Sequence, residues 1–579
     1  MSASASDGRE PAMTGSRTAT LGRWALLLVA LAGFCGHALL FNFLTDDAYI
    51  SFRYARNLAE HGQLVFNLGE RVEGYTNFLW TVTLAGLLKL RLQPEVTSRV
   101  LGVLLGALGL LLTLRLGRTL NGERASPWDA VAPLLLCATG AFAAWSMGGL
   151  ETQLFTVFLL AGTWFYLRDL LADPAVPAPP TALLPSGLCF GFAALTRPEG
   201  VFVFALTVLH RVLHSLLAER RLRPRRCEGA WLGIFVLVVG AHFLWRWHYY
   251  GWILPNTYYI KSASGPATID RGLYYVWSLT RDYCLYLLPP LCLLGWPGRA
   301  ARGHRVLLGY ATLVLLPFLV YVVRVGGDFM GLYRFMVPLM PLCALLAQES
   351  LRQAATRAAP HVGRVVPVVA VAAVVLLHAA SALDVSVRQV RATGADRGID
   401  SIGYLKKFAA DRALVGRWLG SVVQQDDVLT VGGAGAQPYY AGIPTLDAFG
   451  LTNAYVAHVL PSASDRPGHQ KFACNEFVVE NRPCPGTRKG SAPPPPRPRP
   501  TILCHTYRLG EYGPFHPPPG DAAYWRNLGY EWVSARIPGL DPPYYSFLKR
   551  RDRALGPFPA HGAGGAAPGG TADGAARDP

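Results

Sequence analysis

Charge is scarce in this sequence: 16% of its 579 residues are Asp, Glu, Lys or Arg, against roughly 25% in an ordinary soluble domain. Acids are scarcer than bases, 37 against 54. There is no HExxH pair and no His/Cys cluster at metal-ligand spacing, so nothing announces a zinc site. His37, His210, His214 and His378 lie in or near apolar runs and read as packed residues. The turn Gly432–Gly435 is too short, and too poor in downstream acid, for a dinucleotide site. What is abundant is apolar: 51% of the chain is hydrophobic, gathered into long runs between about residues 24 and 383. A soluble enzyme, a fibrous protein and a wholly disordered chain are excluded.

A helix needs about 20 apolar residues to cross ~30 Å of hydrocarbon. Eleven runs qualify as candidates, near 24–44, 96–116, 129–147, 152–167, 182–196, 199–217, 230–247, 283–297, 305–324, 335–349 and 364–383. The first follows a basic leader, 1–23, that resembles a signal peptide, but it is long for one and lacks a small-x-small cleavage site. It reads as an anchor with a cytoplasmic N-terminus. Phe78–Leu92 is apolar but short and reads as an interfacial or re-entrant helix. The net charge of +17 reads as topology rather than as a nucleic-acid surface. With the N-terminus inside, the clusters Arg115/Arg118/Arg124, Arg220–Arg226, Arg299/Arg302/Arg305 and Arg352/Arg357/Arg364 all fall on the cytoplasmic side, as the positive-inside rule requires.

Eleven crossings leave the chain after Leu383 outside, where 384–555 reads as a mixed α/β domain and 556–579 as a disordered Gly/Ala/Pro tail. Within it, Val415–Val423 reads as helix, Val428–Val431 as strand and Ser491–Pro500 as a polyproline-type excursion. Seven of the ten cysteines lie in the membrane half; of Cys474, Cys484 and Cys504, the short Cys474/Cys484 loop is the favoured disulfide.

This topology sorts the polar motifs onto one face. Asp46 and Asp47 end the first span; Glu151 follows in MGGLET (147–152), Arg197 and Glu199 in TRPEG (196–200), Asn256, Tyr258 and Lys261 in LPNTYYIK (254–261), and Asp328 and Arg334 in GGDFMGLYR (326–334). A transporter would place such groups at mid-span in broken helices, and few are visible. Around the first acids, Thr45 or Asp46 can cap a helix starting near Asp47, along which Tyr49, Phe52 and Arg56 share one side, as in an interfacial helix. Arg53 lies on the same helix, and Glu73 and Tyr75 in the polar loop after it. The Asp46/Asp47 pair reads either as helix caps or as a general base with its orienting partner. Arg197/Glu199 and Asp328/Arg334 read either as ion pairs or as cations facing a lipid phosphate.

The stretch Asp46–Trp80, with TRPEG, LPNTYYIK, GGDFMGLYRFMVPLMPL (326–342) and PYYAGIPTLDAFGLTNAYVAH (438–458), resembles the GT-C membrane glycosyltransferases of the terminal β-(1→2)-arabinofuranosyltransferase type. A flagellar motor control protein is similar in the same motifs, so a non-catalytic membrane scaffold or motor factor is the rival reading. The resemblance implies a polytopic α-helical membrane protein of GT-C type with a C-terminal extracytoplasmic α/β domain. Residues 24–383 would form the catalytic membrane domain, with 45–95 as its first outer loop. It implies inverting transfer of a sugar, such as arabinofuranose, from a polyprenyl-phosphate donor to a cell-envelope glycan or lipid-linked acceptor, outside the bacterial cytoplasmic membrane. Asp46 and Asp47 would be catalytic. Arg197, Arg334 and Lys261 would hold the donor phosphate, and Arg53, Glu73, Tyr75, Glu151, Glu199, Asn256, Tyr258 and Asp328 would bind substrate or support the site. The resemblance implies no certain cofactor; a divalent cation on Asp46, Asp47 or Glu199 is compatible with these acids.

Overall fold

The computed structural model describes residues 12–557 except 124, 174–178, 261–264, 299–300, 463–469, 488–492 and 511–514; for 12–23 and 505–510 only the backbone is described. Lys261, Arg124, Arg299, the first part of the leader and the tail from 558, all given roles by the sequence, lie outside the described residues.

The chain begins with α1 (Ala12–Phe41), α2 (Asp46–His61), α3 (Phe78–Lys89), α4 (Pro94–Leu120), α5 (Val131–Ala138), α6 (Gly140–Ala144), α7 (Thr152–Leu171) and α8 (Leu184–Thr196). It continues through α9 (Glu199–Leu217), α10 (Arg226–Tyr250), α11 (Asn256–Ile260), α12 (Pro266–Asp282), α13 (Leu288–Leu294), α14 (Arg302–Arg324), α15 (Met340–Val362) and α16 (Val365–Arg391). Among the described residues seven helices, α1, α4, α7, α9, α10, α14 and α16, are long and apolar enough to cross a membrane. The protein is a multi-pass membrane protein. Exposed Val and Leu side chains such as Val29, Leu104, Leu237, Val320 and Leu376 line these helices, the pattern of a surface facing lipid rather than water.

Seven of the eleven expected spans are thus single long helices, and the other four are shorter or interrupted. The run 129–147 is split by Thr139, whose extended backbone (ψ 110°) separates α5 from α6. Backbone released from a helix inside an apolar core needs a partner, and here the Ala141 N–H donates to the Tyr283 hydroxyl at 2.9 Å. The run 335–349 starts as a 3-10 turn over Arg334–Leu339, after Leu332 and Tyr333, which both have positive φ. Trp145 Nε1 donates to the Leu332 carbonyl there, at 2.9 Å. Broken helices, which the sequence scarcely disclosed, therefore flank the polar motifs. α3 is twelve residues, about 18 Å at 1.5 Å per residue, too short to cross.

After α16 come the two-residue strands β1 (Ala395–Asp396) and β2 (Ile399–Asp400), then α17 (Ile402–Val422), β3 (Leu429–Val431), α18 (Ala436–Ala441) and β4 (Thr445–Asp447). They are followed by α19 (Ala454–Val459), α20 (Asn475–Glu480), β5 (Ile502–Gly510), α21 (Pro519–Asn527), β6 (Tyr530–Arg536) and β7 (Tyr544–Arg550). One sheet runs β4-β3-β5-β7-β6, parallel across β4-β3-β5 and antiparallel across β5-β7-β6. Side chains alternate between faces along a strand. Ile502 and Cys504 accordingly pack with Val415 and Leu419 of α17 on one face, while Leu503 packs with Val456, Phe477 and Trp525 on the other. The sheet thus packs helices on both faces. Cys474 and Cys484 form a disulfide, and Cys504 is buried as a thiol.

α2 departs from the sequence expectation. Nine of its sixteen residues are buried, so it is an internal rather than an interfacial helix. The side carrying Tyr49, Phe52 and Arg56 does not meet lipid; it packs under Tyr439 of α18, with ring centroids at 5.4 and 6.2 Å and the Arg56 guanidinium 4.4 Å above the ring.

Candidate active site

The first acids sit where the first long helix turns into α2. Thr45 precedes α2, but its hydroxyl does not cap the helix; its N–H and Oγ1 both donate to the Gly148 carbonyl, at 3.2 and 3.1 Å. The start of α2 is thereby fastened to MGGLET. Gly149 takes φ +80° there, and its Cβ position is closed by Leu44 and Ala48, so a residue with a side chain would force the two segments apart. Asp46 Oδ1 accepts the Ala436 N–H of α18 at 2.8 Å. Burial pushes the Asp46 carboxyl up to about 6; neighbouring Asp47 adds to the rise, and the Ala436 N–H and Arg412 oppose it. A base poised near neutrality suits proton abstraction from a hydroxyl.

TRPEG supplies the central cation. Arg197, just past the end of α8, donates Nη1 to Glu151 Oε1 at 2.7 Å and Nη2 to Glu199 Oε1 at 2.9 Å. Glu151 Oε2 accepts Asn77 Nδ2 at 2.8 Å, and Asn77 in turn bonds Ser51 of α2 at 3.0 Å. Burial works against the Arg197 charge, but Glu199 and Glu151 outweigh it and hold the guanidinium above its usual range. The ion-pair reading is the one realised for Arg197/Glu199.

Arg334 differs. Its Nε donates to Asp328 Oδ2 at 2.7 Å, while its Nη atoms make no hydrogen bond among the described residues. The guanidinium lies 5.5 Å from the Trp145 ring centroid and 5.6 Å from that of Phe335, whose ring is also 5.2 Å from Arg197. The broken helix before α15 thus brings the two arginines to one aromatic ring. Held by a carboxylate at Nε and stacked on rings, Arg334 presents a planar pair of donors, the geometry that matches phosphate.

The remaining expected residues hold the frame. Glu73 forms a buried ion pair with Arg246 of α10, with Nε 3.0 Å from Oε2; burial raises its carboxyl and Arg246 opposes this. Tyr75 shares a hydrogen bond of 3.1 Å with Tyr250. Asn256 donates to the Gly450 and Leu451 carbonyls at 2.8 and 2.9 Å, and Tyr258 is exposed. Arg53 donates to the carbonyls of Phe66, Pro438 and Ile443, each at 2.8 Å, and so braces α2 against both segments. Among the described residues no group of three His, Cys, Asp or Glu is placed to hold a metal ion; Glu199 is paired with Arg197 and Asp46 with an amide.

The chain superposes on ArnT from Cupriavidus metallidurans bound to undecaprenyl phosphate with a TM-score of 0.54 at 14% identity, covering 90% of this chain and 97% of that one. The fold is that of the GT-C glycosyltransferases. In the apo state the same ArnT gives a TM-score of 0.53 at 14% identity, covering 93% of this chain and 98% of that one. By sequence, the chain is 31% identical over 336 residues to the terminal β-(1→2)-arabinofuranosyltransferase of Mycobacterium tuberculosis, covering 52% of this chain and 51% of that protein. The enzyme of that name from Corynebacterium glutamicum is 28% identical over 347 residues, covering 53% and 48%. The chain therefore spans about half the length of the curated relatives it matches. Residues 403–485 match a domain of unknown function, DUF8728.

Sequence reasoning did not single out three contributors. Asn77 bridges α2 to Glu151, Arg246 neutralises Glu73, and the Gly435–Ala436 backbone meets Asp46. Arg246 carried one signal, a lone charge near the end of an otherwise apolar helix. The backbone contact carried none, because an amide has no identity in a sequence.

Proposed function

We propose that the protein transfers a sugar, with inversion, from a polyprenyl-phosphate donor to a cell-envelope glycan or lipid-linked acceptor on the outer side of the bacterial cytoplasmic membrane. One observation carries this reading: a carboxylate poised near neutrality and an arginine whose Nη donors make no hydrogen bond among the described residues lie at the two ends of one chain of contacts. Asp46 lies at one end of it, fastened through Thr45 and Gly148 to MGGLET, and Arg334 lies at the other, across Phe335 from Arg197. Asp46 takes the proton of an acceptor hydroxyl, whose oxygen attacks the anomeric carbon from the face opposite the phosphate. The C–O bond to phosphate breaks, and Arg334 stabilises the charge that develops there. Asp47 supports the base. Arg197 holds Glu151 and Glu199 in place through its two ion pairs, so that Phe335 and Arg334 hold position. Outside the cell a lipid phosphate serves as leaving group without a nucleotide.

Three features support the reading: the ArnT-like fold, the two arabinofuranosyltransferase relatives and the one-sided arginine clusters. Arabinofuranose is the sugar those relatives suggest. The test is mass spectrometry of surface glycans and polyprenyl-phospho sugars in a deletion strain. Loss of a terminal sugar with accumulation of its lipid donor is expected; unchanged pools of both would overturn the proposal.

A further inference from the structure

The C-terminal sheet region reaches into the site at one point. Strand β3 ends at Val431, and the chain turns through Gly432, Gly433, Ala434 and Gly435 into α18, so that the tip of the turn lies against the start of α2, about 390 residues away in sequence. The contact is close. A Cβ built on Gly435 would stand 2.3 Å from Asp46 Cγ and Oδ2 and 2.2 Å from its carbonyl oxygen, and one on Gly433 would stand 3.3 Å from Oδ2. Gly435 has φ −92° and ψ −116°, and Asp46 leaves no room for a side chain here. The same segment is fastened to α2 along its length: Arg53 donates to Pro438 and Ile443, Arg56 donates to the Tyr439 carbonyl at 3.0 Å, and Asn67 and Thr445 exchange two bonds of 2.8 and 3.0 Å. Two of the three glycines of this firmly held turn, Gly433 and Gly435, stand against the Asp46 carboxylate, and the third, Gly432, stands against the Phe449 ring.

We infer that the glycine turn 432–435 and the Ala436 amide are positioning elements of the active site. They hold the Asp46 carboxylate toward the acceptor, so that the region matching a domain of unknown function completes the catalytic centre. The inference rests on the proposed transfer reaction for its consequence in rate, but not for the contact itself. A donated N–H favours the ionised form of a carboxylate. The other charged groups that act on Asp46 are Asp47 on its own helix and Arg412 from α17. Burial is the largest cause of the raised carboxyl; with the carboxylate still buried, displacing the turn removes the amide and leaves both of these in place, so Asp46 takes up its proton at a higher pH.

The experiment uses the full-length protein in detergent or nanodiscs and compares wild type with G435A and G433A. G435A is expected to lower kcat at least tenfold, with KM for the lipid donor changed less than threefold, and to move the acid limb of the pH–rate profile upward by half a unit or more. G433A, with its milder approach, moves the limb in the same direction by less, and it decides the question if G435A fails to fold. A merely structural role would reduce the folded fraction and leave the limb where it was. Folded variants with an unmoved limb and normal kcat would overturn the inference. The pH titration of the infrared carboxyl band that D46N removes gives a readout independent of transfer. An upward shift of that band in G435A upholds the contact even if no sugar is transferred, and an unchanged band overturns it.

Discussion

Arg334 and Arg197 look alike in sequence, each on the same face and each beside an acid, and the structure separates them. Arg197 is bonded to two carboxylates, whereas Arg334 uses only Nε on Asp328. Removing Arg334 should therefore act on the donor: R334A should lower kcat/KM of the folded protein about ten- to a hundredfold, the ~1.5–3 kcal/mol of a charge-assisted hydrogen bond, on top of the stability lost by leaving Asp328 buried without its cation. Steady-state kinetics with a polyprenyl-phospho sugar, alongside a melting curve, checks this. R197A should unfold more readily, because Glu151 and Glu199 would be left buried without their cation; breaking such a pair costs about 3–5 kcal/mol. Equal melting temperatures for R197A and wild type would count against the organising role. At this scale the sequence disclosed which residue types gather but not which pair is closed and which is open. That distinction arises from Phe335 and the broken backbone before α15, neither of which has a period or a motif.

α2 was legible as a helix from its acidic first turn; it ends at Gly62, where φ is +69°, the left-handed conformation that stops helices. Its surroundings were not. An aromatic and cationic side suits a membrane interface as well as it suits a protein partner, and the partner lies some 390 residues further along the chain. Arg53 shows the difference: its three carbonyl bonds tie α2 to the loop after it and to the segment 438–443. R53A should remove a charged donor from each of those carbonyls, leaving Phe66 its bond from Asn57, Pro438 its bond from Gly442 and Ile443 its bond from Thr445, a loss on the order of a few kcal/mol in all. It should lower the melting temperature by several degrees and make the 432–453 segment sensitive to limited proteolysis, while R53K keeps a charge but not the fork. Wild-type protease resistance in R53A would show that α2 is anchored by its aromatic contacts instead.

For the molecule as a whole, the apolar runs and arginine clusters carried most of the architecture, because crossing length and charge asymmetry are local properties of a sequence. The four runs that became short or broken helices were not distinguishable from full spans, since the breaks at Thr139 and Leu332–Tyr333 depend on distant partners such as Tyr283 and Trp145. The orientation predicted by the basic clusters is directly measurable. Single cysteines between Arg220 and Arg226 should be protected from an impermeant thiol reagent in intact cells, and one near residue 420 should be labelled. Labelling of both positions from one side would break the topology and with it the shared outer face.

The central claim is that Asp46 is a base and not only a point of attachment, and D46N in purified protein tests it most directly. The substitution is nearly isosteric, and the amide oxygen of Asn can still accept the Ala436 N–H that Oδ1 accepts at 2.8 Å, so the contact with the glycine turn persists and only basicity is lost. With melting temperature unchanged, turnover of a polyprenyl-phospho sugar should fall by about 10²–10⁴, the usual contribution of a general base. The wild-type rate should itself fall about tenfold per unit as the pH drops below about 6, where the carboxyl takes up its proton. D46N protein that folds normally and turns over at near wild-type rate would contradict the account.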